Sequence, residues 1–430
     1  MSENRSSYPA QPLDVALTVL GREHLQVVVD LDRRIDRDQA ERAVAGTVAA
    51  FPLLGCRYEP GAWRDRWVPD PAMSAADAVQ QLDPAPNPEV ATREWLAREI
   101  DERAGWPWRV AVLPWGRGCR LLVSVLHVAA DGAGTLAAVR ELARLLVGGE
   151  AVERPYPVER NVGILFRRLG ATGLVRLGAG LVREAIRPLE LPFLARTATA
   201  RPPPAGPATW RTVRIDVGEG SPLRKLCRAR NATVNDLLVA ALAVLVRRIS
   251  VRGRIGCFFT ADLRRRLADE QPRIANLSAV ISVALPRAHA ASLPDALVEV
   301  TRLTARRDPG VSGLAALLLN LPLILCLPHR LVRRLTRLVF GVWIRRLLTR
   351  GLLVTNIGPL DACLAPFGNL VRDATFVGPS VRGLPIPVLT ATGFGDNLTI
   401  HFTGYAETAA GLERLAAELE SIFAEAGGSA

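Results

Sequence analysis

The run His127-Val128-Ala129-Ala130-Asp131-Gly132-Ala133-Gly134 combines a histidine, an acid and two glycines at close spacing. A free imidazole titrates near about pH 6.5, so a histidine held in a cleft can take a proton from a substrate hydroxyl or amine at neutral pH. The aspartate need not touch the ring. In a tight turn its short carboxylate can anchor the loop by pairing with an arginine elsewhere, and Gly132 and Gly134 would allow the torsions such a turn requires. The predicted chemistry is general base catalysis by His127, with Asp131 and Gly132 supporting the loop.

A histidine in this role has to be presented by something rigid. Residues 120–126 (RLLVSVL) form a strand that ends directly before His127, and a helix is expected over 134–146. Residues 108–113 and the turn 114–118 complete a hairpin, while 25–31 reads as another strand and 36–49 as a helix. Past a proline-rich stretch at 196–210 (RTATARPPPAGPATW), strands are expected at 212–217, 254–260, 276–285, 352–356, 388–392 and 397–404. An apolar helix opens at Thr233 and another covers 409–425. The chain therefore divides into 1–195, a linker at 196–210 and 211–430, each half an α/β unit of sheet and covering helices.

Of the 430 residues 54 are basic and 42 acidic, giving +12, yet Lys225 is the only lysine. That arginine excess, beside abundant Ala, Gly, Pro and Val, reads as GC-rich coding bias, and no finger, RNA-recognition or recognition-helix pattern accompanies it; no nucleic-acid partner is expected. Cys56, Cys119, Cys227, Cys257, Cys326 and Cys363 are scattered without a C-x-x-C pair and read as isolated thiols in a reducing compartment. The opening residues MSENRSSYP lack the apolar core of an export signal. The most apolar run, 313–328, is shorter than the roughly 20 residues of a spanning helix and is interrupted by Asn320 and Pro322. A cytoplasmic protein is expected.

Residues 331–343 place Leu331, Leu335, Leu338, Val339 and Val342 on one helical stripe, opposite Arg330, Arg333, Arg334 and Arg337. This predicts a surface helix with a solvated basic face. The alternative is that it joins the basic stretch 161–196 in peripheral contact with the inner face of an anionic membrane. No serine-hydrolase elbow, P-loop or dinucleotide fingerprint is present. Cys326-x-x-His329 has no second ligand pair, so no metal is expected. His24, His289 and His401 read as ordinary residues.

Other segments fall in a recognisable order: 50–57 (AFPLLGCR) with Trp63 and Trp67, 95–100 (WLAREI), 107–110 (PWRV), 233–242 (TVNDLLVAAL), 261–265 (ADLRR), 274–278 (IANLS) and 354–359 (VTNIGP). With the H-x-x-x-D-G motif, and over nearly the whole chain, this order resembles the CoA-dependent acyltransferase superfamily built on the chloramphenicol acetyltransferase fold. That group includes nonribosomal peptide condensation domains, wax ester synthases and polyketide-associated acyltransferases.

The resemblance implies a monomer of two chloramphenicol acetyltransferase-like lobes, each a mixed sheet covered by helices, with a tunnel between them. It implies that His127 is the general base for attack of an alcohol or amine on a thioester. No cofactor is bound; acyl-CoA, or acyl-phosphopantetheine on an acyl carrier protein, is the co-substrate. Asp131 becomes structural and its arginine partner falls on Arg264, the alternative being that Arg264 is one of three solvated arginines at 264–266. Residues 355–359 are expected to cross from the second lobe to the first. Relatives often carry a further histidine where this chain has Leu126, and residues 393–397 only echo the plant branch's D-F-G-W-G element. The oxyanion donor stays open between a backbone amide near Gly132 and the hydroxyl of Thr390 or Thr392. The expected product is an ester in lipid or natural-product biosynthesis. An amide is the alternative, and a non-catalytic docking protein using the same cleft is the rival.

Overall fold

Alternating apolar residues carry the chain into two large sheets. In chain order the strands are β1 (Tyr8–Pro9), β2 (His24–Leu31), β3 (Cys56–Glu59), β4 (Arg66–Pro69), β5 (Val79–Gln81), β6 (Trp108–Trp115), β7 (Gly118–Leu126), β8 (Ala208–Asp216), β9 (Ile255–Asp262), β10 (Ser278–Leu285), β11 (Leu352–Pro359), β12 (Val371–Val377), β13 (Val388–Phe394) and β14 (Asn397–Tyr405). The first sheet has the order β12-β2-β7-β6-β5 and the second β10-β9-β11-β13-β14-β8, while β1, β4 and β3 make a small third sheet. Both large sheets mix parallel and antiparallel pairs. The computed structural model describes the chain except residues 1–6, 22, 167–169, 187–192, 197–207, 265–266, 268–270, 306–310, 316–326, 340–349, 382–386 and 429–430.

Each sheet buries one face under helices. In the first, Leu25, Val27 and Val29 of β2 stand opposite Val125, Val123 and Leu121 of β7. All six enter one core with the helices Arg37–Ala50 and Gly132–Leu146, as the two-residue side-chain period of a strand requires. In the second, the helix Val234–Ile249 is buried without a break from Asp236 to Val246, so it is covered by sheet and helices together. The α/β architecture of two sheet-and-helix lobes is the one expected.

The division of the chain is less clean than expected. Of the proline-rich linker, residues 197–207 lie outside the described residues, and 208–210 already belong to β8. Residues 355–359 stay in the second sheet as the end of β11; the strand that crosses is β12, which pairs with β2 of the first sheet. The edge of β2 needs backbone partners, and β12 supplies them. Conversely, Ile164, Leu165 and Leu177 of the first half pack with Leu263, Leu277, Val311 and Leu314 of the second.

The helix His329–Val339 also departs from the expectation. His329 and Val332 are its buried residues, Leu338 is exposed, and Arg333 pairs with the buried Asp65 where a solvated face was expected. His329 Nδ1 accepts the Asp65 N–H at 2.8 Å, so a tertiary hydrogen bond set the helix's rotation over its leucine stripe. Residues 316–326 of the apolar run and 340–343 of the basic stripe lie outside the described residues. Among the described residues no helix is long and apolar enough to cross a membrane. Five of the cysteines, Cys56, Cys119, Cys227, Cys257 and Cys363, are buried free thiols, and Cys326 lies outside the described residues.

Candidate active site

His127 directly follows β7. Its backbone N–H donates to the Glu23 carbonyl at 2.8 Å, extending the β2–β7 ladder by one pair beyond His24 and Leu126. The residue is partly accessible, although its neighbours Leu126 and Val128 are buried. Its Nδ1 lies 3.0 Å from the Ala130 carbonyl oxygen. A carbonyl can only accept, so Nδ1 carries the hydrogen and Nε2 is left with the lone pair a base needs.

Asp131 caps the helix Gly132–Leu146, accepting the Gly134 N–H at 3.0 Å. The same carboxylate accepts the Leu277 N–H at 2.7 Å and Arg264 Nη1 at 2.8 Å. Burial alone would raise the Asp131 carboxyl, but the Arg264 guanidinium and these two N–H donors hold it below the ordinary carboxylate value. Arg264 Nη2 donates to the Ala275 carbonyl at 2.8 Å, and that carbonyl also accepts the Asp131 N–H at 3.2 Å. Arg264 is thus part of the site and not of a solvated run; Arg265 and Arg266 lie outside the described residues.

The carbonyls between His127 and Asp131 are all tied to side chains. Asn276 Nδ2 donates to Val128 O at 3.0 Å, Arg160 Nη1 to Ala129 O at 2.7 Å, and His127 itself to Ala130 O. Arg160 Nη1 also reaches Ile274 O at 2.8 Å, and its other terminal nitrogen forms an ion pair with Asp14 at 2.7 Å. Residues 274–277 of the second half therefore grip a loop of the first, which fixes the imidazole's backbone. Arg160 and Asp14 escaped the sequence reading because nothing local separates one arginine or one helix-entry aspartate from the rest. Asn276 lay within a segment that was noted, but without a role.

The glycines serve a different purpose from the one expected. Neither Gly132 nor Gly134 has a positive φ. What they supply is room: a Cβ on Gly132 would fall 2.5 Å from Ile357 Cδ1, and one on Gly134 would crowd the carbonyl oxygens of Arg273 and Ala275 at 3.2 and 3.3 Å. This is also how 355–359 takes part in the site, by packing Ile357 against the histidine loop.

Thr390 and Thr392 lie on one face of β13, beside His401 and Thr399 of β14, and both are buried. That face looks across to the strand from the first sheet, since His401 Nε2 meets Thr375 Oγ1 of β12 at 2.6 Å. Neither Thr390 Oγ1 nor Thr392 Oγ1 has a hydrogen-bond partner among the described residues. No hydrogen bond joins them to His127. A cavity of about 510 Å³ lined by Phe193, Leu194, Gly253, Arg254 and Ala284 sits at the start of β9. It is separated from Arg264 by the length of that strand, roughly 25 Å. Among the described residues no group of histidines, cysteines and acids could hold a metal ion.

No protein-family profile matches this chain. An uncharacterized protein of Mycobacterium tuberculosis strain H37Rv, Rv2305, is 27% identical over 406 residues, covering 90% of this chain and 91% of its own. Among solved structures, the first condensation domain of the calcium-dependent antibiotic synthetase, bound to a substrate analogue, is similar with a TM-score of 0.69 at 15% identity, covering 98% of each chain. A trichothecene 15-O-acetyltransferase of Fusarium sporotrichioides is similar with a TM-score of 0.65 at 11% identity, covering 95% of this chain and 94% of its own. The chain has the two-lobe fold that condensation domains share with CoA-dependent acyltransferases.

Proposed function

We propose that this protein is an acyltransferase that moves an acyl group from a CoA or carrier-protein thioester to an acceptor hydroxyl, with His127 as the general base. Nε2 takes the hydroxyl proton as the acceptor oxygen bonds to the thioester carbonyl carbon. When the tetrahedral intermediate collapses the C–S bond breaks, and the imidazolium returns the proton to the departing sulfur. Thioester and alcohol thus give ester and free thiol, and the histidine ends as it began. The backbone N–H groups of the first helical turn after Asp131 are candidate oxyanion donors, as are the unpartnered hydroxyls of Thr390 and Thr392. The channel for the two substrates would run between the lobes.

The observation that carries this reading is an accessible imidazole whose tautomer is set by Ala130 and whose loop is clamped from the other lobe. Likeness to an O-acetyltransferase supports ester formation and a place in lipid or natural-product biosynthesis. Likeness to a condensation domain favours a second reading, with an amine acceptor and an acyl carrier protein as donor. The test is free-thiol release from acyl-CoAs of increasing length over a panel of alcohols and amines, with product masses recorded. His127→Ala should lower turnover by roughly 10²–10⁴-fold without lowering the unfolding midpoint. Thiol release unchanged by that substitution would overturn the proposal and favour a docking protein.

A further inference from the structure

One buried carboxyl at this site has no role in the scheme above. Glu23 precedes β2, and its carbonyl accepts the His127 N–H at 2.8 Å, which makes the two residues an opposed pair. Opposed residues of antiparallel strands share a face of the sheet, with Cβ atoms roughly 5 Å apart. The pairs Leu25–Val125, Val27–Val123 and Val29–Leu121 all lie on the core face, and Glu23–His127 continues that alternation to the sheet's end.

Glu23 is 5% exposed, and its Oε1 has no hydrogen-bond partner among the described residues. Other buried acids of this lobe are matched by cations: Asp14 by Arg160, Asp30 by Arg120, Asp65 by Arg333 and Asp131 by Arg264. Burial pushes the Glu23 carboxyl up to about 8. At neutral pH it is therefore mainly an acid that can both donate and accept. A buried polar oxygen without a partner is costly and uncommon in a folded protein, which suggests that its partner arrives with the substrate.

We propose that the Glu23 carboxyl is a second anchor for the acceptor, so that favoured acceptors carry a hydrogen-bond donor, a hydroxyl or an ammonium, on the carbon next to the reacting hydroxyl. The inference rests on the acyl-transfer reading of His127. The reacting hydroxyl lies at Nε2 while the neighbouring donor meets Glu23, and a single small acceptor spans the two because the residues stand side by side. Acceptors with only one polar group leave the carboxyl unsatisfied.

The test compares hexan-1-ol, hexane-1,2-diol and 2-aminohexan-1-ol as acceptors for the full chain with one acyl-CoA, reading thiol release as kcat/KM. The wild type should favour the diol or the amino alcohol over hexan-1-ol by tenfold or more. Glu23→Leu should abolish that preference while leaving the hexan-1-ol rate within about threefold. Its unfolding midpoint should match or exceed the wild type's, because an unpartnered buried carboxyl has been removed. Glu23→Gln separates the two donors: it keeps a preference for the diol but loses one for the ammonium. A wild type with no preference, or a Glu23→Leu variant that slows all three acceptors equally, would overturn the proposal. If the wild type releases no thiol with any acceptor, the acyl-transfer reading has failed, and calorimetric binding of 2-aminohexan-1-ol decides the anchor separately. At least tenfold weaker binding to Glu23→Leu supports it, and equal or absent binding refutes it.

Discussion

Replacing Arg264 with methionine should destabilise the protein more than replacing its partner Asp131 with asparagine, although both substitutions break the same ion pair. Asp131 is 2% exposed and accepts three hydrogen bonds, and only the one from Arg264 brings a positive charge. Arg264 has alternatives, reaching Asp262 Oδ1 at 3.2 Å and Ala275 O at 2.8 Å. Arg264→Met leaves a buried carboxylate without a counter-charge, which costs about 3–5 kcal/mol. Asp131→Asn removes one charge-assisted hydrogen bond, about 1.5–3 kcal/mol, and leaves the guanidinium still facing Asp262. Chemical denaturation at neutral pH measures both from the midpoint at constant slope. The double substitution closes a cycle whose coupling should exceed about 1 kcal/mol. A second readout is pH. The Asp131 carboxyl is held below its ordinary 3.8, so its contribution is fully present above that value and is lost as pH falls through the lower folded value. Asp131→Asn should remove that acid limb. Thiol release should fall in Arg264→Met with His127 still in place, because the loop loses its grip on the imidazole. The reasoning is refuted if Arg264→Met costs less than about 1 kcal/mol, or no more than Asp131→Asn.

Gly132→Ala should cost about 1–3 kcal/mol by overpacking against Ile357, and Ile357→Val should recover part of that loss because it removes the Cδ1 atom in the way. Purely additive effects in denaturation would show that space is not the reason for the glycine. His401 makes a separate prediction. Burial, and then the charge of Arg214, push it down to about 3, and its ring nitrogens contact Thr212 at 3.0 Å and Thr375 at 2.6 Å. Between the ordinary histidine value of 6.5 and about 3, the unfolded chain binds a proton that the folded one does not. Stability should therefore decline as pH falls through that window, with a slope of up to about 1.4 kcal/mol per pH unit from this residue. His401→Gln should flatten the decline; an unchanged slope between pH 6 and 4 would show that the ring is protonated in the fold.

Much of the scaffold was legible because strand and helix periods are local. The strand ending at Leu126, the helix beyond Asp131 and the apolar helix after Thr233 were recognisable from the alternation and capping residues in their own segments. The crossing strand β12 was not, since VRDATFV has no pattern that says which sheet will take it. The basic helix was misjudged for a related reason: its leucine stripe indicated one rotation, but the Asp65–His329 hydrogen bond imposed another.

For the site, the types and order of His127, Asp131 and Gly132 lay in the sequence, and the family resemblance supplied Arg264 as a candidate partner. The sequence by itself determined which residue could serve as the base and that it would stand at the end of a strand. Tertiary structure alone decided which of many similar arginines were paired: Arg264 with Asp131, and Arg160 with Asp14, Ala129 and Ile274. It also set Glu23 beside His127 with no partner of its own. The physical reason is distance along the chain. A period of two or 3.6 residues is written in neighbouring letters, whereas a hydrogen bond between residues more than a hundred positions apart exists only once two sheets have closed on each other.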